Sequence, residues 1–179
     1  QLNGKKLSYN NYNDIFTGIS LSKSFTKNYS TVIIKHANPC GVALDKKKID
    51  SYLKAYECDN TSAFGGIISC NYKVDRIVAK EISKKFFEVV VANGFESGAL
   101  KILKQKRNLR LIDSSLLKEL NFEQNTSIMN NFLSQTSDTA IFKKNDFKIV
   151  SKVRPSKETL SNLLFTFNVC RFVKSNAIV

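Results

Sequence analysis

Thr31-Val32-Ile33-Ile34-Lys35-His36-Ala37-Asn38-Pro39-Cys40-Gly41 is the stretch on which the fold turns. Its first part is β-branched and apolar, as a strand buried on both faces must be. Its end, Asn38-Pro39-Cys40-Gly41, carries two punctuators and predicts a turn that closes the strand after Lys35-His36. Outward from it, strand-like runs at residues 67–70, 88–92 and 109–113 alternate with helix-period segments at about 48–58, 75–85 and 97–105. Upstream, Asn13 is the expected cap of a helix to about residue 27, with Ile15, Phe16 and Ile19 inward. Such alternation predicts an α/β fold: a layered sheet, mixed or largely parallel, flanked by helices.

Residues 116–149 read differently, polar and patchy, with a short helix expected ahead of strands at 139–142 and 147–150. Ser156 then caps an expected helix to about residue 172, whose Leu160, Leu163, Leu164 and Phe167 fall on one stripe. Such a stripe needs a partner layer, so the isolated chain is expected to self-associate. Residues 174–179 form a strand-like run. The expected division is 1–150 as a first α/β unit and 151–179 as the start of a second.

The net charge is +13, but it is made of 23 Lys against 5 Arg, beside 18 Asn. Base readers lean on Arg, whose planar fork pairs with guanine, and the lysines here are scattered. No nucleic-acid partner is expected; a basic field suits a phosphorylated or polycarboxylate substrate instead. No apolar run reaches the length of about 20 residues that a membrane span needs, and no leader precedes the chain, so a soluble cytoplasmic protein is expected. The four cysteines form no C-x-x-C pair and there is one histidine, which argues against a metal site.

Lys35 and His36 are the residues with the clearest chemistry. A strand delivers both at its C-terminal end, where ligands gather in α/β sheets. A histidine there is suited to accept a proton near neutrality, and a neighbouring ammonium favours the neutral ring. The same ammonium can hold negative charge developing in a transition state. A lone histidine packed at a strand end, bonded to a backbone carbonyl, fits the spacing at least as well. His36-x-Asn38-Pro39-Cys40 faintly echoes a zinc deaminase, but Asn38 stands where a proton-shuttling Glu is needed and no Cys follows three residues after Cys40. Ser62-Ala63-Phe64-Gly65-Gly66 sets an aromatic ring, able to stack on a flat heterocycle, beside glycines that let backbone approach a ligand. A tight loop with a core Phe explains it as well. Asn10, Asn11 and Asn176 are amides able to fix a substrate, or simple turn residues.

Four blocks in order carry a resemblance: Gln1 to Asn11 (QLNGKKLSYNN), Lys35 to Ala43 (KHANPCGVA), Ser62 to Ile67 (SAFGGI) and Lys174 to Val179 (KSNAIV). Together they resemble the bifunctional family with phosphoribosylaminoimidazolecarboxamide formyltransferase and IMP cyclohydrolase activities, over the whole chain. The resemblance implies that the chain is a piece of the formyltransferase domain, built on a cytidine-deaminase-like unit without zinc. It implies transfer of a formyl group from 10-formyltetrahydrofolate to the 5-amino group of 5-aminoimidazole-4-carboxamide ribotide, on the way to inosinate. It implies His36 as proton acceptor on that amine, Lys35 as its assistant, and Asn176 as the amide supporting the tetrahedral oxygen. It further implies that Asn10, Asn11, Phe64, Gly65 and Glu88 contact the ribotide, and that the family works as a homodimer. The cyclohydrolase part and much of the folate site are expected to lie outside this chain, which would then be inactive alone. The competing expectation is a non-catalytic ribotide-binding or assembly module.

Overall fold

The computed structural model describes residues 1–117, 123–138 and 140–179. Two compact units emerge, Gln1–Leu116 with Val169–Val179, and Leu117–Asn168.

The first unit is a five-stranded mixed sheet with helices on both faces. The elements are α1 (Tyr9–Lys23), β1 (Tyr29–Lys35), β2 (Asn38–Asp45), α2 (Lys48–Cys58), β3 (Ile67–Cys70), α3 (Arg76–Ser83), β4 (Val89–Ala92), α4 (Ser97–Leu103) and β5 (Arg110–Asp113). The strand order is β2-β1-β3-β4-β5. β1 runs antiparallel to both neighbours, whereas β3, β4 and β5 are mutually parallel. Side chains of β1 alternate across the sheet. Val32 and Ile34 pack with Leu21 of α1 and with Phe172 on one face. Ile33 faces Tyr52 and Ala55 of α2, in a core shared with Val78 and Ile82 of α3 and Leu103 of α4. Each such fully buried aliphatic side chain contributes about 1.5–3 kcal/mol.

Two expectations are corrected near β1. The turn is not at Asn38-Pro39-Cys40-Gly41 but at His36-Ala37, and residues 38–45 form a second strand. Pro39 is tolerated because β2 is the sheet edge, where a missing N–H breaks no ladder. A register shift opposite Ile33 and Ile34 leaves Cys40 as a bulge residue. Gly41 lets this edge press against α2, since a Cβ there would strike the Ala55 carbonyl. The second correction concerns direction. Because β1 runs against β3–β5, the Lys35-His36 end of β1 lies beside the N-terminal ends of the parallel strands, not their C-terminal ends.

α1 starts earlier than expected. Ser8, not Asn13, is the cap: its hydroxyl accepts from the Asn11 N–H, and Asn11 Oδ1 accepts from the Ser8 N–H. Ile15 and Ile19 are buried as expected, whereas Phe16 is half-buried.

The second unit holds a hairpin, β6 (Glu123–Ile128) with β7 (Asn131–Thr136), and a 3-10 turn at Lys144–Asp146. The expected strands at 139–142 and 147–150 do not form among the described residues, and Thr139 lies outside them. The expected short helix does not form among the described residues, and 118–122 of the same segment lie outside them. Phe142, Phe147 and Phe167 instead pack edge to face, with centroids 4.9 to 5.9 Å apart. Asn168 locks that arrangement by accepting from the Phe142 N–H and donating to its carbonyl. The helix α5 (Lys157–Cys170) begins after Ser156, whose hydroxyl accepts from the Thr159 N–H. Residues 174–179 adopt no strand.

Candidate functional site

The β1–β2 hairpin closes with only two residues, His36 at φ +57° and Ala37 at φ +54°. Both central residues of a I′-type hairpin turn need positive φ, and Asn-Gly normally supplies it. Placing Cβ-bearing residues there costs about 1–2 kcal/mol each. Two residues, Asp14 and Lys174, hold the turn and the first residue of β2 through three hydrogen bonds. The Ala37 N–H donates to Asp14 Oδ1 of α1 at 2.5 Å. Lys174 Nζ donates to the His36 carbonyl at 3.0 Å, and the Lys174 N–H donates to Asn38 Oδ1 at 3.1 Å. Ala37 is buried, while His36 is exposed. Strain held at an exposed imidazole by surrounding hydrogen bonds is typical of functional positions.

Lys35 is the last residue of β1, and its ammonium donates to the Phe64 carbonyl at 2.7 Å. Phe64 and Phe86 form a pair with centroids 5.1 Å apart, 62% and 52% exposed, so the two rings present apolar faces to solvent. Gly65 makes this possible. At φ +71° its N–H donates to the Phe86 carbonyl, holding the Phe64 loop against the start of β4. Glu88 follows, its N–H donating to the Gly66 carbonyl at 3.1 Å. Its carboxylate accepts from Asn11 Nδ2 at 3.1 Å and lies 3.7 Å from Arg110 Nη1.

One end of the sheet, the edge formed where β1 finishes and β3 and β4 begin, therefore gathers Asn11, Lys35, His36, Phe64, Gly65 and Glu88. Asn11 is 4% exposed, and both ends of its amide are engaged, one by the helix cap and the other by Glu88. Asn10, its neighbour, is exposed in the first turn of α1. Asn176 lies two residues beyond Lys174, and its one described side-chain contact is local. It is exposed, with Oδ1 3.2 Å from Ser175 Oγ. Sequence reading missed Asp14, Phe86, Arg110 and Lys174. Asp14 follows Asn10 by four residues, the spacing that puts both on one helix face, and that was the available signal.

Cys40, in the bulge near the turn, and Cys70, at the far end of β3, are not poised for chemistry. Burial pushes Cys40, and likewise Cys70, up to about 11. Among the described residues no three His, Cys, Asp or Glu side chains gather closely enough to hold a metal ion. No helix among them is long and apolar enough to cross a membrane.

An imidazole, an ammonium, an aromatic pair and a half-exposed carboxylate on one edge can accept a proton, balance an anion and bind a flat heterocycle bearing hydrogen-bond donors. Comparison with known proteins places the whole chain in one family. The sequence model of the AICARFT/IMPCHase bienzyme family matches residues 1–179. The bifunctional purine biosynthesis protein PurH of Clostridium kluyveri is 45% identical over 179 residues, covering 100% of this chain and 35% of the relative. The PurH proteins of Acetivibrio thermocellus and Brachyspira hyodysenteriae are 41% and 40% identical, over 99% and 100% of the chain. The chain thus spans about 35% of the length of these relatives.

Proposed function

The chain belongs to the AICARFT/IMPCHase bienzyme family, and on that premise we propose that it supplies the amine-activating side of a formyltransferase site in purine synthesis. The acceptor is 5-aminoimidazole-4-carboxamide ribotide and the donor is 10-formyltetrahydrofolate. The amine nitrogen attacks the formyl carbon while His36 takes a proton from it. The carbon–N10 bond then breaks, and the proton passes to the departing N10, so that tetrahydrofolate leaves neutral at that atom. The Lys35 ammonium and the Asn176 amide stabilise the oxygen that becomes negative in the tetrahedral intermediate. The aminoimidazole rests on the Phe64–Phe86 pair where Gly65 keeps the backbone low. Glu88 accepts from hydroxyl or amide donors of the ribotide, with Asn11 orienting the carboxylate and Asn10 reaching the ligand from the first turn of α1. The net charge of +13 draws in a phosphorylated acceptor and a polyanionic donor. Pairing of two copies into a homodimer, with sites shared between them, belongs to the same proposal.

The exposed His36 on a pinned positive-φ turn is the observation that carries this reading. It is tested by letting this chain replace the matched 179 residues of the Clostridium kluyveri protein and following tetrahydrofolate release. We expect turnover, and a loss of about 10²–10⁴-fold in His36→Ala, the usual contribution of a positioned acid–base group. A chimera that binds ribotide without turning over identifies a binding module instead, and full activity in His36→Ala refutes the role given to the imidazole.

A further inference from the structure

We propose that Asp14 is a positioning residue that aims the His36 imidazole by holding the backbone of its turn. The role in turnover rests on the formyl-transfer reading, whereas the clamp itself rests on geometry alone. The chain from cause to effect is short. Asp14 lies in α1, whose N-terminus is fixed by the Ser8–Asn11 capping box and tied to the sheet edge through Glu88. From this anchored helix its Oδ1 accepts the Ala37 N–H at 2.5 Å, a charge-assisted contact. Ala37 is buried at φ +54°, a conformation an alanine leaves readily when nothing holds it. If Ala37 turns back to negative φ, the peptide between His36 and Ala37 must rotate with it, and the backbone that carries the imidazole loses its set beside Lys35 and Phe64. The Lys174 contacts hold the His36 carbonyl and the Asn38 side chain but leave the Ala37 N–H to Asp14.

Two substitutions separate this role from simple support of the fold. Asp14→Asn keeps an oxygen acceptor in place. Ala37→Gly makes positive φ intrinsically accessible, so the turn no longer needs the clamp. In the chimera, Asp14→Ala is expected to lower kcat about 10- to 100-fold, the range of one hydrogen bond to a charged group, while the KM for ribotide moves less than about threefold. Asp14→Asn should recover most of kcat. Asp14→Ala combined with Ala37→Gly should lose clearly less, relative to Ala37→Gly, than Asp14→Ala loses alone. In the 179-residue chain, the Ala37 amide should exchange with solvent faster in Asp14→Ala while circular dichroism stays that of the parent.

An unchanged kcat in Asp14→Ala, additive losses in the double variant, or an Ala37 amide equally protected without Asp14 would each overturn the proposal. A chimera inactive with Asp14 intact refutes the formyl-transfer reading instead, and the amide exchange of Ala37 then decides the clamp by itself.

Discussion

Asn11→Ala should destabilise the first unit by about 2 kcal/mol, and most of that figure follows from what Asn11 touches. Its Oδ1 accepts the Ser8 N–H as half of the capping box; because Ser8 is exposed and water can substitute, that loss is about 0.5 kcal/mol. Its Nδ2 donates to Glu88, whose side chain is 45% exposed, so the charge-assisted bond is discounted to about 1 kcal/mol. The site is 4% exposed, and removing three heavy atoms from it leaves a small void worth about 1 kcal/mol. Alanine returns about 0.5 kcal/mol through its better helix propensity. Urea unfolding followed by circular dichroism should show a midpoint lower by about 1 M, given a slope of about 2 kcal/mol/M. The exposed neighbour Asn10, changed to Ala, should shift stability by less than about 0.5 kcal/mol. Equal effects at the two positions, or a neutral Asn11→Ala, would refute the view that Asn11 is a structural strut that orients Glu88.

Further outcomes follow from particular contacts. Gly41→Ala should destabilise by about 1–3 kcal/mol in the same assay, since the new methyl meets the Ala55 carbonyl, backbone that cannot rotate away. At about pH 8, alkylation of the native chain should label exposed Cys58 first, and mass spectrometry should find Cys40 and Cys70 modified only after unfolding, because burial raises both thiols to about 11 and keeps them protonated. Leu163 and Phe167 are 55% and 45% exposed on α5, so light scattering should show self-association that Leu163→Glu reduces. A clean monomer of the parent chain contradicts this.

The centre of the sheet was legible because β1, β3 and β4 are covered on both faces and must be largely apolar. Residues 67–70, 89–92 and 110–113 stand within a residue of where the strand-like runs placed them. The His36-Ala37 turn was not legible. Its residues are poor turn formers on their own, and the stronger signals in Asn38-Pro39-Cys40-Gly41 are absorbed by an edge strand and a bulge. The α1 cap was missed because Asn11 fills the place usually held by Glu or Gln. The polar hairpin of β6 and β7, Glu-Gln-Asn-Thr-Ser-Ile with Asn-Phe-Leu-Ser-Gln-Thr, has no buried face to impose a two-residue period. At the candidate site, local motifs pointed to Lys35, His36, Phe64 and Gly65. The contacts of Asp14 and Lys174 with the turn join residues 23 and 138 positions apart, and only the folded chain reveals them.

His36 is the one histidine in the chain, so its imidazole gives an unambiguous NMR signal. Titration with 5-aminoimidazole-4-carboxamide ribotide should shift that signal in a saturable way, together with the ring resonances of Phe64. An imidazole whose resonances do not move at saturating ribotide would contradict the central claim that this ring faces the reacting amine.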